Sequence, residues 1–252
     1  YMQNLTSPTA NIAPPLLKWF DANKRVLPFR TLSTPYRVWV SEIMLQQTRV
    51  SAALPYFERF MAELPTVADL AACEPERLHK LWEGLGYYSR VRNLQKAAQI
   101  IMTEYGGALP ADFSALKKLP GIGDYTAGAI ASISFGLPEV AVDGNVLRVF
   151  SRLLGHSGNV LQPEVKKELA AYVREAQPAD RPGAYNEALM ELGALVCVPN
   201  GAPQCDICPL RAMCTARKAG TQELLPVKTP LKARKTLAYT VALVLCENRV
   251  LL

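Results

Sequence analysis

The sequence predicts an all-α protein with two helical lobes. Between residues 14 and 196, apolar residues recur every three or four positions, the period of an amphipathic helix. Glycine and proline separate these segments, and no segment before about residue 236 shows the sustained alternation typical of a strand. With 252 residues, half of them hydrophobic, the chain can bury two moderate cores.

The helices are predicted in order from the N-terminus. The first covers residues 14–20, and the breakers around Pro28 follow it. Thr34 before Pro35 is typical of an N-cap followed by proline at the first helical position, which predicts a helix over residues 36–50. The periodicity then predicts helices over residues 53–64, 67–72, 74–82, 90–105, 113–118, 125–135, 145–154, 163–176 and 185–196.

The C-terminal part has a different composition. Residues 218–235 are polar, basic and interrupted by prolines, which indicates a linker. Residues 236–246 are rich in β-branched side chains and predict a strand, residues 247–248 a turn, and residues 249–252 the start of a second strand. The pattern stops there, so we expect an incomplete further domain.

The net charge of +6 and the isoelectric point near 9.0 favour a polyanionic partner. Each Lys or Arg that meets a phosphate releases counterions and adds affinity, although many basic proteins bind no polyanion. No run approaches the roughly 18 apolar residues of a membrane span, and the N-terminus lacks a signal-peptide pattern. We expect a monomeric cytoplasmic protein with no membrane partner.

Four of the six cysteines lie within an 18-residue window, as Cys197-x7-Cys205-x2-Cys208-x5-Cys214. This is too few cysteines for a disulfide scaffold, and thiolates at such short spacing suit a metal site. The spacing alone leaves a 4Fe–4S cluster and a structural zinc ion equally open.

The run Leu119-Pro-Gly-Ile-Gly123 lies between two predicted helices. Glycines at positions 121 and 123 permit a tight hairpin whose backbone N–H groups, at the start of the next helix, would grip a phosphate. Lys117 and Lys118 flank this hairpin and strengthen the interpretation, although exposed charge is the alternative for both.

Two carboxylates have unusual contexts. Asp143 is an isolated acid in an apolar run, where it suits an N-cap for the helix near Asn145, a catalytic carboxylate, or both at once. Glu42 lies beside an apolar stripe of its predicted helix. Desolvation there would raise its pKa, as a general acid requires, whereas a structural glutamate with a buried partner is the alternative.

Together these features resemble the MutY-like adenine glycosylases of the helix-hairpin-helix DNA glycosylase superfamily. Further matches are residues 39–48 (WVSEIMLQQT) and 84–90 (GLGYYSR). The resemblance covers roughly residues 14–217, in the order of the family.

The resemblance implies a two-lobed helix-hairpin-helix glycosylase fold with a DNA-binding cleft between the lobes. It divides the chain into an N-terminal segment that packs on the cluster domain, a six-helix domain, the cluster domain, a linker and the start of a truncated Nudix-like domain. Their bounds are 8–28, 29–134, 135–217, 218–235 and 236–252. It also implies a 4Fe–4S cluster on the four cysteines and a double-stranded DNA substrate containing adenine opposite 8-oxoguanine or G.

The resemblance also implies residue roles. Glu42 would protonate the adenine and Asp143 would face the cationic sugar, with Asn145 as its support. Arg30 and Glu187 would line the adenine pocket, while Gln47 and Tyr87 would wedge into the DNA stack. The candidate phosphate contacts are Arg90, Lys117, Lys118, Gly121 and Gly123.

Tyr125 lies where endonuclease III-like enzymes have a Schiff-base lysine, so the resemblance implies a monofunctional glycosylase with Tyr125 hydrogen-bonding near Asp143. The sequence departs from the family in the first cysteine gap, which is seven residues where six are expected. Two competing interpretations stay open: a bifunctional glycosylase and lyase for oxidised pyrimidines, and a non-catalytic DNA-binding protein with zinc.

Overall fold

The computed structural model describes Thr9, residues 11–229, 238 and 240, and the backbone of residues 245–246 and 249–250. In these parts of the chain, thirteen α-helices account for most of the structure, and none is long and apolar enough to cross a membrane. The helices are α1 (Ala13–Asn23), α2 (Pro28–Thr31), α3 (Pro35–Leu45), α4 (Val50–Glu63), α5 (Val67–Ala72), α6 (Pro75–Trp82), α7 (Ser89–Glu104), α8 (Phe113–Lys118), α9 (Asp124–Phe135), α10 (Gly144–Leu154), α11 (Pro163–Glu175), α12 (Pro182–Leu195) and α13 (Thr215–Ala219).

Every helix predicted from the periodicity is present, which confirms the helical body of the chain. The predicted cap is also confirmed, because the side chain of Thr34 accepts a hydrogen bond from the backbone N–H of Arg37. The predicted end of the third helix is wrong: α3 ends at Leu45 instead of residue 50, and α4 begins at Val50. Three short elements were not predicted: α2, α13 and a 3-10 turn over Cys205–Ile207.

The first half of the predicted linker is packed against the body, which corrects that prediction. Residues 218 and 219 belong to α13, and Leu225 is buried. The carbonyl oxygen of Leu225 accepts from Arg152 Nε at 2.8 Å, and that of Val227 accepts from the backbone N–H of Val160 at 3.0 Å. Residues 230–235 lie outside the described residues.

Most of the predicted C-terminal strands also lie outside the described residues. Within the described backbone, β1 (Leu245–Cys246) pairs antiparallel with β2 (Arg249–Val250). This register agrees with the predicted turn between two strands, but two residue pairs do not identify a domain.

The helices enclose two hydrophobic cores. One is formed by α3 to α9, with Trp39 and Trp82 fully buried, and the other by α1 and α10 to α12, with Phe150 and Tyr185 fully buried. Helix α3 packs on α9, and α12 packs on α9, α10 and α1, so the two cores meet along these helices. The N-terminal helix therefore belongs to the second core, although most of that core comes from residues after 139.

Candidate active site

A cavity of about 540 Å³ lies where the two cores meet. Side chains from α2, α3, α9 and α12 line it, together with residues at the start of α10. The cavity brings together six residues that the sequence predicted from separate parts of the chain: Arg30, Glu42, Tyr125, Asp143, Asn145 and Glu187.

Glu42, on α3, is a buried acid that faces this cavity, with 8% of its surface exposed. Burial is the main cause that raises the pKa of its carboxyl to about 7, and the nearby carboxylates of Asp143 and Glu187 raise it further. The hydrogen bond from Tyr125 and the charge of Arg30 oppose this rise. Glu42 therefore holds its proton in part of the molecules near neutrality, as a general acid requires.

Tyr125, on α9, donates its phenolic hydrogen to Glu42 Oε2 at 2.6 Å. This corrects the prediction that Tyr125 forms a hydrogen bond near Asp143, because its acceptor is the carboxyl of Glu42. Helices α3 and α9 pack directly together, which brings the phenol to Glu42. With Oε2 accepting this bond, the proton of a neutral Glu42 resides on Oε1 and is available to a group in the cavity.

Asp143 is the N-cap of α10, which confirms that prediction. Its Oδ1 accepts from the backbone N–H of Val146 at 2.8 Å, and its Oδ2 accepts from Asn145 Nδ2 at 2.7 Å. Burial raises the pKa of Asp143, and these hydrogen bonds oppose that rise by favouring the carboxylate. Both oxygens are thus fixed at the N-terminus of α10, and the carboxyl faces the cavity.

The sequence prediction missed Arg148, a buried arginine that holds Asn145 in place. Its Nη2 donates to Asn145 Oδ1 and to the carbonyl oxygen of Gly193, both at 2.8 Å, and its Nε donates to the carbonyl oxygen of Cys197 at 2.8 Å. A side chain at Gly193 would place its Cβ 2.6 Å from Asn145 Cβ, so only glycine lets α12 approach this closely. The one sequence signal was the spacing of Arg148 and Arg152, which lie one helical turn apart on the same face of α10.

Where α2, the segment before it and α12 line the cavity, two arginines and two glutamates form an ion-pair network. Arg30 Nε donates to Glu187 Oε1 at 2.8 Å, and Arg30 Nη2 donates to Glu191 Oε2 at 3.0 Å. Arg25 binds the same Glu191 through Nε and Nη2, both at 2.8 Å. Arg25 and Glu191 were also missed, although Glu191 follows Glu187 by one helical turn and therefore shares its face of α12.

Gln47 and Tyr87 lie on two exposed loops and have left-handed backbones, with φ of 59° and 46°. Such conformations are uncommon for non-glycine residues and cost free energy, so surrounding contacts must hold them. Arg90 provides those contacts. It donates to the carbonyl oxygens at the end of α3, including Gln46 at 2.7 Å, and to those of the second loop, Leu85 at 2.9 Å and Gly86 at 3.2 Å.

The phosphate contact of Arg90 stays a prediction, and a phosphate would have to compete with the backbone for its guanidinium. Its Nη1 and Nη2 groups are directed to five backbone carbonyl oxygens, and its Nε is buried. The guanidinium joins the loop that bears Gln47 to the loop that bears Tyr87, which is a structural role.

The hairpin between α8 and α9 exposes both predicted glycines. Gly121 needs to be glycine, because its φ is +79° and a Cβ there would lie 2.9 Å from Asn93 Cβ. Gly123 has an extended backbone with open space around it, so its conformation does not demand glycine. Lys118 is exposed, and Lys117 is paired with Asp124, so a phosphate would have to compete for Lys117.

The four predicted cysteines converge on one small cavity of about 30 Å³. Arg152, Arg211 and Arg217 also line it, and Arg152 Nη1 lies 3.3 Å from Cys197 Sγ. Burial raises the pKa of Cys208 to about 11, and the neighbouring cysteines add to this rise. Among the described residues, no group of three or more His, Cys, Asp or Glu side chains meets the geometry for a single metal ion.

Two carboxyl groups in one cavity of a helical fold are an arrangement typical of enzymes of acid and electrostatic catalysis. The chain belongs to the HhH-GPD superfamily of base excision DNA repair proteins, which matches residues 40–175. Proteins named adenine DNA glycosylase resemble it: that of Homo sapiens is 43% identical over 219 residues, and that of Buchnera aphidicola is 39% identical over 228. These matches cover 83% and 90% of this chain, and 40% and 64% of the relatives.

Among solved structures, the chain is similar to a trapped endonuclease III–DNA covalent intermediate, with a TM-score of 0.68 and 27% sequence identity. The alignment covers 81% of this chain and 93% of that structure. The helical fold of the family is therefore shown, while the chain spans only part of the length of its adenine glycosylase relatives.

Proposed function

We propose that this chain is a monofunctional DNA glycosylase that excises adenine paired with 8-oxoguanine or G. The observation that carries the proposal is Glu42, a buried acid with a pKa of about 7 that shares one cavity with Asp143. The adenine DNA glycosylases of human and Buchnera supply the substrate class. A cavity of about 540 Å³ is large enough for an extruded base, which is how enzymes of this class reach the reacting bond.

Cleavage of the N-glycosidic bond requires proton donation, because the adenine anion is a poor leaving group. Glu42 supplies this proton from Oε1 to a ring nitrogen of the base, while Tyr125 keeps the carboxyl oriented through Oε2. The pair of electrons in the C1′–N9 bond then leaves with the protonated adenine.

The sugar that remains is an oxocarbenium-like cation, and Asp143 provides the opposing negative charge. Its carboxylate is fixed by Val146 and Asn145, so little reorganisation is needed as the cation forms. Water adds to C1′, and the carboxylate of Glu42, having given up its proton, accepts one from that water. Glycosidases divide their chemistry between two carboxyl groups in the same way.

Tyr125 supports the monofunctional assignment over the bifunctional alternative. A lyase needs an amine that forms an imine with the sugar, and the phenol of Tyr125 cannot form one. Its hydroxyl instead donates a hydrogen bond to Glu42. Borohydride added during the reaction should therefore trap no covalent enzyme–DNA adduct. Efficient trapping would instead support the lyase, for which the endonuclease III covalent complex is the structural precedent.

The direct test is a single-turnover assay on duplexes with adenine opposite 8-oxoguanine, G or T. We expect release with the first two partners, and no detectable release in the Glu42→Gln variant, whose affinity for the duplex is retained. Full activity in that variant would remove Glu42 from the mechanism, and release of no adenine by the wild type would overturn the proposal.

We further propose that Cys197, Cys205, Cys208 and Cys214 hold a 4Fe–4S cluster. The residues fit such a group, because four cysteine sulfurs face one cavity and the three arginines that also line it would offset the negative charge of a thiolate-ligated cluster. Bound there, the cluster would supply structural support to the loop after α12. Iron and sulfide in about equal amounts would support the proposal, with both lowered in Cys205→Ser, whereas zinc without sulfide would contradict it.

A further inference from the structure

Glu191 is the most completely enclosed charged group of the arginine–glutamate network, with a side chain only 1% exposed. Its two oxygens accept from the backbone N–H of Arg25 at 2.9 Å, from Arg25 Nε and Nη2 at 2.8 Å, and from Arg30 Nη2 at 3.0 Å. Burial opposes its ionisation, but the hydrogen bonds from the two arginines outweigh it and lower the pKa of Glu191 to about 2. Glu191 is therefore a carboxylate under all ordinary conditions.

The two arginines need this support because of where they lie. Arg25 belongs to the connection between α1 and α2, which has no regular secondary structure, and Arg30 belongs to α2, which has only four residues. Neither element has a long run of backbone hydrogen bonds that would hold its backbone in place, so the two long side chains depend on other contacts for their position. Helix α12, by contrast, packs on α9, α10 and α1, so Glu191 is anchored to the rigid part of the molecule.

Arg30 also connects Glu191 to the reacting part of the cavity. Its Nε binds Glu187, and its charge acts on the carboxyl of Glu42. All of these side chains line the same cavity. A change in the position or charge balance of Arg30 would therefore be felt by the proton that Glu42 donates.

We propose that Glu191 is a positioning residue, which fixes Arg25 and Arg30 on the wall of the base pocket and balances their charge opposite Glu42. The inference rests on the adenine excision proposed above. It assigns Glu191 a function without contact with the base, because the two arginines occupy its oxygens.

Two variants separate position from charge. Glu191→Asp keeps the charge, but its side chain is one methylene shorter and cannot hold both arginines. Glu191→Gln keeps the length and removes the charge, and its amide N–H₂ replaces one acceptor with a donor. Both should lower the single-turnover rate of adenine release by roughly 10- to 100-fold, the scale for a misplaced active-site group. Affinity for the product duplex should stay close to that of the wild type.

The pH dependence of the rate distinguishes the two variants from each other and from a general folding defect. Glu42 is faced by Tyr125 from α9, Asp143 from α10, Glu187 from α12 and Arg30 from α2. Loss of the negative charge of Glu191 leaves Arg30 less compensated, which favours the Glu42 carboxylate. The basic limb of the rate profile should thus move to lower pH in Glu191→Gln, and by more than in Glu191→Asp, which keeps the compensating negative charge.

A matched control is Glu63→Gln, which removes the same type of charge from an exposed pair with Arg77 far from the cavity. Its rate and profile should equal those of the wild type. A wild-type rate in folded Glu191→Asp would overturn the positioning role, and an unmoved limb in folded Glu191→Gln would overturn the charge balance. If Glu191→Gln does not fold, the Glu191→Asp rate alone decides. No adenine release by the wild type would overturn the proposed function and this inference together.

Discussion

Replacement of Tyr125 by phenylalanine removes one hydroxyl group from the environment of Glu42. In the wild type this hydroxyl donates to Glu42 Oε2 at 2.6 Å, a bond that stabilises the charged carboxylate and lowers its pKa. Without it, burial and the negative charges of Asp143 and Glu187 oppose ionisation with less compensation. The pKa of Glu42 should therefore rise above its wild-type value of about 7.

The size of this rise follows from the strength of the lost bond. A hydrogen bond to a charged group contributes about 1.5–3 kcal/mol, and one pKa unit corresponds to about 1.4 kcal/mol. The neutral carboxyl also accepts from the phenol, so only part of this free energy distinguishes the two protonation states. We therefore expect an upward shift of roughly one unit.

The measurement is the single-turnover rate of adenine release across the neutral and alkaline range. Because Glu42 must be protonated to act, its ionisation sets the basic limb of the profile, which should lie near pH 7 in the wild type and roughly one unit higher in Tyr125→Phe. Tyr105→Phe, a change in another half-buried tyrosine that packs on the first core, is the control and should leave the limb in place. A limb that stays or moves down in Tyr125→Phe would refute the assignment of Glu42 as the acid.

Three further predictions concern the same residues. The pKa of Glu42 is raised by folding from 4.5 to about 7, so its contribution to stability is complete below about pH 4.5 and is lost as the pH rises through 7. In urea unfolding, Glu42→Gln should thus be more stable than the wild type by roughly 3 kcal/mol at about pH 8, with little difference near pH 4.5; equal stability at both pH values would contradict the buried acid. Asp143→Asn should lower the single-turnover rate by roughly 10²- to 10³-fold, and an unchanged rate would exclude Asp143 from the chemistry. Its side-chain oxygen can still cap α10 by accepting from Val146, but its N–H₂ then meets Asn145 Nδ2, so a modest loss of thermal stability should accompany the lower rate. Arg90→Lys should lower the free energy of unfolding by roughly 2–4 kcal/mol without changing the salt dependence of DNA binding, whereas loss of about one unit of that slope would support the phosphate role.

Local patterns predicted the eleven longest helices of the described residues, because the periodicity and caps of a helix lie within a few residues of one another. They failed at the end of α3, where neither glycine nor proline follows Leu45. The helix ends there because Arg90, more than forty residues later, binds the carbonyl oxygens of Ile43, Met44 and Gln46. A contact at that sequence distance has no local signal, so the loop that bears Gln47 could not be predicted from its own residues.

The site shows the same division in its chemistry. The apolar context of Glu42 predicted a raised pKa, and burial is indeed its main cause. The hydrogen bond that orients this carboxyl comes from α9, and the network beside it joins Arg25 and Arg30 to Glu191, about 160 residues away. Burial alone would raise the pKa of Glu42 further, whereas the hydrogen bond from Tyr125 and the charge of Arg30 hold it near neutrality. The acid strength of Glu42 is therefore a property of the junction between the two cores, and variants of Tyr125 and Glu191 should move it in opposite directions.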